Sequence, residues 1–332
     1  RGRDRGGLPV GRRRRPGAGA LGRGGPARMS AWLDAFVPAF ALLALGALLK
    51  RRLLRDDAVW AGMERLIYWV LLPSLIVAAL APLDLAALPL GRIAMAIWVA
   101  LGLGTAASVL LARALGHGHP AMTSVLQGGI RFNNLMGFAI AGALFGPAGT
   151  GFGAVATGMI VPFVQTVTTL AFAFDGKRGP PRPAVVLRQL ALNPLLLAVV
   201  VGFAIAALGG LPPGLAPTVQ ALGRASVALG LLCVGAALSL DSFTDRVGTQ
   251  FATGVLKLVV MPALTWAMCT ALGVPPLATA VAVIFMALPT AATSYVMARA
   301  MGGDAPLMAA ITTTEHIAAI ATLPVWVWLV AP

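Results

Sequence analysis

Ten apolar runs, most of them long enough to cross a lipid bilayer, decide what this chain can fold into. They are Trp32–Leu49, Leu66–Leu80, Ile93–Leu111, Ala121–Phe145, Phe152–Phe174, Leu190–Leu208, Val219–Leu240, Phe251–Leu272, Leu277–Ala300 and Leu307–Val330. A helix of about 20 residues spans the hydrocarbon core. Backbone amides find no water there, so such runs fold as helices that close their own hydrogen bonds. Composition agrees. The 332 residues are 58% hydrophobic and 11% charged, against about 25% charged in a soluble domain. The expected fold class is an all-α polytopic membrane protein with ten transmembrane helices.

Two runs are interrupted by polar residues. The fourth holds Arg131-Phe132-Asn133-Asn134, between Gly128-Gly129 and Gly137. An arginine at hydrocarbon depth costs roughly 2.5–3.5 kcal/mol on insertion scales, so it persists where it faces a cavity, a partner charge or an unwound backbone. The ninth run holds Leu288-Pro289-Thr290-Ala291-Ala292-Thr293-Ser294. Broken helices at corresponding places in two halves point to a transporter's binding site. The same offset of 156 residues separates Pro38 from Pro194 and Asn133 from Pro289. Five runs lie between the copies, an odd number, so the halves are expected to be inverted repeats with broken crossover helices four and nine.

The expected organisation is a first five-helix repeat over residues 29–174, a cytoplasmic linker over 175–189 and a second repeat over 190–332. Residues 1–28 carry nine Arg and one Asp of a chain whose net charge is +14. They hold no apolar stretch to act as a secretory signal and are expected to be a disordered basic arm or a start-site artefact. Lys50, Arg51, Arg52, Arg55 and Arg65 follow the first run, and Lys177, Arg178, Arg182 and Arg188 follow the fifth. Arg113, Arg246 and Arg299 fall on the same side if the helices alternate. The positive-inside rule makes that side cytoplasmic and puts both termini outside a cytoplasmic membrane. Cys233 and Cys269 both lie in apolar runs and read as small buried hydrophobes rather than a disulfide framework or metal site.

Several segments together resemble the auxin efflux carrier family of transporters. The opening "PAFALLALGALLKRRLLRDDAVWAGMERLIYWVLLPSLIVAAL" does so, as do "RFNNLMGFAIAGALFG", "LRQLALNPLLLAVVVGF", "LGRASVALGLLCVGAALSL" and "ALPTAATSYVMARAMGGDAPLMAAITT". The resemblance covers roughly Leu33 to Leu329. It implies ten helices in two inverted repeats, with helices four and nine unwound and crossing near mid-membrane. It also implies a mobile part that slides past a scaffold and exports small organic anions. Many members carry Gly-x-Pro just after the polar residues of helix four, where this chain reads Met136-Gly137-Phe138-Ala139.

The expected substrate-binding residues are Arg131, Asn133, Asn134, Pro289, Thr290 and Ser294. Arg131 offers a planar fork to a carboxylate, with structural pairing to an acid as the other reading. The amides could instead bond a neighbouring helix. Pro289 removes a backbone donor and frees a carbonyl. Tyr295 reads as an interfacial anchor, and Asn193-Pro194 as structural. Glu315 beside His316 is suited to carrying a proton, and with Lys257 forms the candidate ion-coupling set, the static alternative being a Glu315–Lys257 pair. Gln165 and Thr166–Thr169 could line a cavity or back-bond within their helix. Expected partners are a small organic anion, the lipid bilayer, a coupling proton or sodium ion and a second copy of the chain in a homodimer. No cofactor and no nucleic-acid partner is expected.

An intramembrane enzyme is the competing class. Only three His occur, with no Gly-x-Ser-x-Gly and no His-Glu-x-x-His. An anion channel would want a ring of filter residues from several subunits, which a long chain of two similar halves does not suggest. No Gly-x-x-x-x-Gly-Lys-Ser/Thr is present, so transport is expected to be driven by a gradient or facilitated.

Overall fold

A computed structural model describes residues 26–84, 88–174, 183–238 and 246–331 of the chain. The basic arm up to residue 25 and the linker positions 175–182 lie outside the described residues. The last three arm residues already belong to the first helix, α1 (Pro26–Arg52). The second run is one span, Asp57–Leu80, which begins nine residues before the first residue of the apolar run. It joins α2 (Asp57–Leu66) and α3 (Leu72–Leu80) through a π-helical turn, Ile67–Leu71. The Asp56 side chain accepts from the Ala58 amide and fixes the start of α2. Next come α4 (Leu90–Ala114) and α5 (His119–Ile130).

α6 (Asn134–Ala173) folds back on itself at Gly146, whose φ of 60° favours glycine. Successive contacts close on that corner. Asn134 meets Thr157, Phe138 lies beside Gly153, and Gly142 lies beside Thr150. The fourth and fifth runs are thus the arms of a hairpin, with α5 as the first half of run four.

The second half holds α7 (Pro183–Ala191), α8 (Pro194–Ala207) and α9 (Leu215–Ala236). α10 (Val247–Val255) and α11 (Met261–Ala271) follow, joined by a second π-helical turn, Leu256–Val260. The chain ends with α12 (Pro276–Ala287), α13 (Thr293–Met301) and α14 (Ala305–Val330). Both π turns precede a proline, Pro73 and Pro262, which cannot donate to the carbonyl four residues back. At the second, the Trp326 indole donates to that carbonyl, on Leu258, at 2.7 Å.

Seven helical spans are long and apolar enough to cross a membrane, and α8 and α12 are shorter apolar helices. The expected ten helices therefore do not appear as ten long spans. Runs four and five share the span His119–Ala173, and run nine divides into two short pieces. There is no strand among the described residues. Large apolar side chains such as Val37, Trp98, Leu110, Val200, Phe251 and Trp328 are exposed. A water-soluble monomer rarely shows so much apolar surface, whereas lipid requires it. This is a multi-pass membrane protein.

Two groups of helices meet around α6. α1 packs on α9, and α3 packs on both α8 and α9. In the other group α4 packs on α5 and α11, α11 on α12, and α14 on α10, α12 and α13. Arg246 and Asp304 form an ion pair at 2.7 Å, and Asp304 also accepts from the Leu307 amide at the start of α14.

Candidate functional site

Both expected helix breaks are present. The first is three residues long, Arg131 to Asn133, between α5 and α6. Arg131 is extended, and its amide still bonds the Gln127 carbonyl to close α5. Asn133 opens α6 as its cap, its side-chain oxygen accepting from the Met136 amide at 3.2 Å. The break therefore precedes Gly137. That glycine serves packing instead, since a Cβ there would lie 2.8 Å from Leu288 and 2.9 Å from the Phe285 ring. The second break runs from Leu288 to Ala292, where Leu288 is extended ahead of Pro289.

The two breaks touch. The Asn133 amide donates to the Pro289 carbonyl at 2.8 Å. The Thr290 hydroxyl donates to the Gln127 carbonyl at 3.1 Å and lies 3.2 Å from the Ser294 hydroxyl. Backbone groups released by unwinding thus satisfy one another across the crossing, as burial demands. Phe285 rests against Phe132 and Phe138, with ring centroids 6.1 and 5.7 Å away.

A cavity of about 540 Å³ opens on one side of this crossing. Arg131, Asn133 and Asn134 line it from the first break, and Ala291, Ala292 and Thr293 from the second. The N-termini of α6 and α13 therefore both abut the cavity. Its opposite wall comes from the other helix group, with Glu64, Tyr68, Asn193, Gly230 and Cys233. Gln165 lines it as expected. Thr166, Thr168 and Thr169 do not, and Thr169 instead donates to Gln189 at 3.2 Å. Asn193 also caps α8, its oxygen accepting from the Leu195 amide at 2.9 Å.

Arg131 has no acidic partner among the described residues. Its guanidinium donates to Thr293 Oγ1 at 2.9 Å and to Met297 Sδ at 2.7 Å. Structural pairing with an acid is therefore not its arrangement. Asn134 accepts from the Thr157 hydroxyl at 2.8 Å, and its Nδ2 has no partner among the described residues. Pro289, Thr290 and Ser294 do not line the cavity. Thr290 and Ser294 are fully buried on the far side of the crossing, because the Thr290 hydroxyl turns back to α5.

A second polar cluster lies on that far side. Glu315 Oε2 accepts from the Thr290 amide at 2.8 Å, and His316 Nε2 lies 3.1 Å from Asn133 Nδ2. Lys257 is fully buried on the π turn between α10 and α11. It makes no direct ion pair with Glu315, and its Nζ is unpartnered among the described residues. A Cβ on Gly128 would lie 3.3 Å from Glu315 Oε1 and 2.7 Å from Thr253 Cγ2, so these side chains converge there. Glu315 Oε1, Thr253 Oγ1 and both side-chain polar atoms of Gln127 are likewise unpartnered.

The model of the family described as membrane transport protein matches residues 33–327. The chain belongs to that family. The resemblance to auxin efflux carriers is thereby borne out, and the family is one of transporters, not enzymes. No curated protein matches the chain. Membership in the membrane transport family implies a carried substrate, and the cavity at the crossing is where Arg131 meets the backbone released by the two breaks.

Glu64 and Gln127 were not among the residues singled out from the sequence. Glu64 precedes the apolar part of its helix and reads as part of a charged loop. Gln127 stands only four residues before Arg131 in a strongly apolar run, a polar signal of the same kind.

Proposed function

We propose that this chain is a secondary transporter that exports a small organic anion across the cytoplasmic membrane, and that the cavity at the helix crossing is its substrate site. One observation carries the reading: Arg131, with no ion pair among the described residues, faces a mostly apolar cavity flanked by two helix N-termini. A carboxylate there gains a planar charged fork and two favourable helix dipoles. Counterflow of labelled carboxylate in proteoliposomes tests the carrier. Saturable exchange supports it, and unsaturable conductance would point to a channel.

Two inverted five-helix repeats fit the reciprocal packing. α1 rests on α9 while α8, its counterpart in the second half, rests on α3. Likewise α4 packs on α5 as α11 packs on α12. The cavity lies between the two helix groups, which suits an elevator in which the group holding both breaks slides against the other. In the proposed orientation Lys50–Arg55 is cytoplasmic, as are both the linker and the mouth at Glu64 and Met301. Cysteines at Arg51 and Ala148 are then expected to label from opposite sides of the membrane. Labelling from one side would overturn the topology.

Glu315 is proposed as a proton-carrying group that reports to the crossing through the Thr290 amide. The ionisable groups packed around it are His316 on its own helix and Lys257 from the span before. A basic side chain on the π turn packed against α14 disfavours a sodium ion at Glu315 and favours the proton as the coupling ion. Glu315→Gln keeps an acceptor for Thr290. It is expected to retain carboxylate counterflow but to lose uptake driven by an imposed pH gradient. Unchanged gradient-driven uptake would remove Glu315 from the coupling.

A further inference from the structure

The cavity carries one charge of each sign. Among its described lining residues the charged ones are Arg131, from the first break, and Glu64, from the last turn of α2. No ion pair joins them, and neither forms an ion pair with another described residue. They stand on different helix groups, Glu64 beside α9 and Arg131 on the unwound stretch. Tyr68, one turn beyond Glu64, also lines the cavity. Most of the remaining wall is apolar, including Ile67, Leu72, Leu135, Val161 and Val164.

Such a lining suits a simple anion poorly. A monocarboxylate satisfies Arg131 and leaves the half-buried Glu64 facing an apolar body. A dicarboxylate sets its second negative charge toward a third carboxylate in a mostly apolar site, where like charges repel more than in water. A molecule with a carboxylate at one end and an ammonium group at the other satisfies both. We propose that the substrate is an amphipathic zwitterion of the amino-acid type, its carboxylate on Arg131, its ammonium on Glu64 and its apolar body against the aliphatic wall. This rests on the cavity being the substrate site and narrows the organic acid to one that also bears an amine. It assigns Glu64 the discriminating role. An amine-free acid forfeits a charge-assisted hydrogen bond and leaves a carboxylate unpartnered.

The test compares matched ligands on the purified full-length chain. Leucine and ε-aminocaproate supply zwitterions with short and long charge separations. Isocaproate and caproate are their amine-free counterparts, and adipate is the diacid. In the wild type at least one zwitterion is expected to bind about tenfold or more tighter than its amine-free counterpart, the scale of one charge-assisted hydrogen bond, with adipate weakest. Glu64→Gln should abolish that preference, bringing each zwitterion level with its amine-free counterpart. Glu64→Lys should reverse it, so that adipate binds more tightly than ε-aminocaproate, a gain that misfolding cannot mimic. Amine-free acids that bind as tightly as both zwitterions, with ratios unmoved by either variant, would overturn the zwitterion and leave the anion site standing if Arg131→Ala still abolished binding. Binding indifferent to Arg131→Ala as well would overturn both.

Discussion

Arg131→Ala is expected to weaken carboxylate binding by about a hundredfold, the scale of losing a bidentate charged contact in a mostly apolar site. Counterflow at fixed substrate should fall with it. The protein itself should be only slightly destabilised, because the guanidinium's partners are one hydroxyl and one thioether and it neutralises no buried acid. Arg131→Lys should restore only a minor part, since a single ammonium cannot reproduce two parallel donors. Asn133→Ala separates capping from binding. It removes the α6 cap and the contact with His316, at about 1 kcal/mol for the cap, but keeps the backbone bond to Pro289. Binding titrations paired with thermal unfolding check all three. Wild-type affinity in a well-folded Arg131→Ala protein would remove Arg131 from the site.

Gly235→Leu should damage the fold severely, costing about 3 kcal/mol or more and depleting folded protein in the membrane. The reason is backbone proximity. A Cβ on Gly235 would overlap the Leu43 carbonyl, and one on Gly46 would overlap the Leu232 carbonyl. α1 and α9 thus approach closely at two mutually facing glycines, the kind of small-residue seam that packs membrane helices without a hydrophobic drive. Neither carbonyl can move without dragging a helix. Gly62→Leu, at a glycine with open space where a Cβ would sit, is the matched control and should be tolerated. Yield of monodisperse protein after detergent extraction measures both. Normal yield of Gly235→Leu would show that the α1–α9 seam is looser than described.

The crossing was legible in the sequence because lipid makes polar residues conspicuous. Arg131, Asn133 and Asn134 stand out in the fourth run, as do Pro289 and Thr290 in the ninth, and the structure brings the two stretches into backbone contact. The direction each side chain faces was not legible. Thr290 lies in the second break and Ser294 just after it beside Thr293, yet of the three only Thr293 reaches the cavity, because the Thr290 hydroxyl finds the Gln127 carbonyl on a helix far away in sequence. Glu64 was hidden for a different reason. It shares its neighbourhood with Asp56, Asp57 and Arg65, so hydropathy places the start of the span after it, whereas the helix starts at Asp57. The corner at Gly146 carries no charge to mark it. It nevertheless falls in the gap between run four, ending at Phe145, and run five, starting at Phe152, and the positive φ fixes the residue at which they turn back on each other.

The central claim is that substrate binds where the two broken helices cross. A structure determined with a saturating carboxylate, chosen from the ligands that bind, tests it most directly. The account predicts the carboxylate within hydrogen-bonding distance of the Arg131 guanidinium, beside the first residues of α6 and α13. A ligand seated elsewhere, with the cavity beside Arg131 empty of it, would contradict the account.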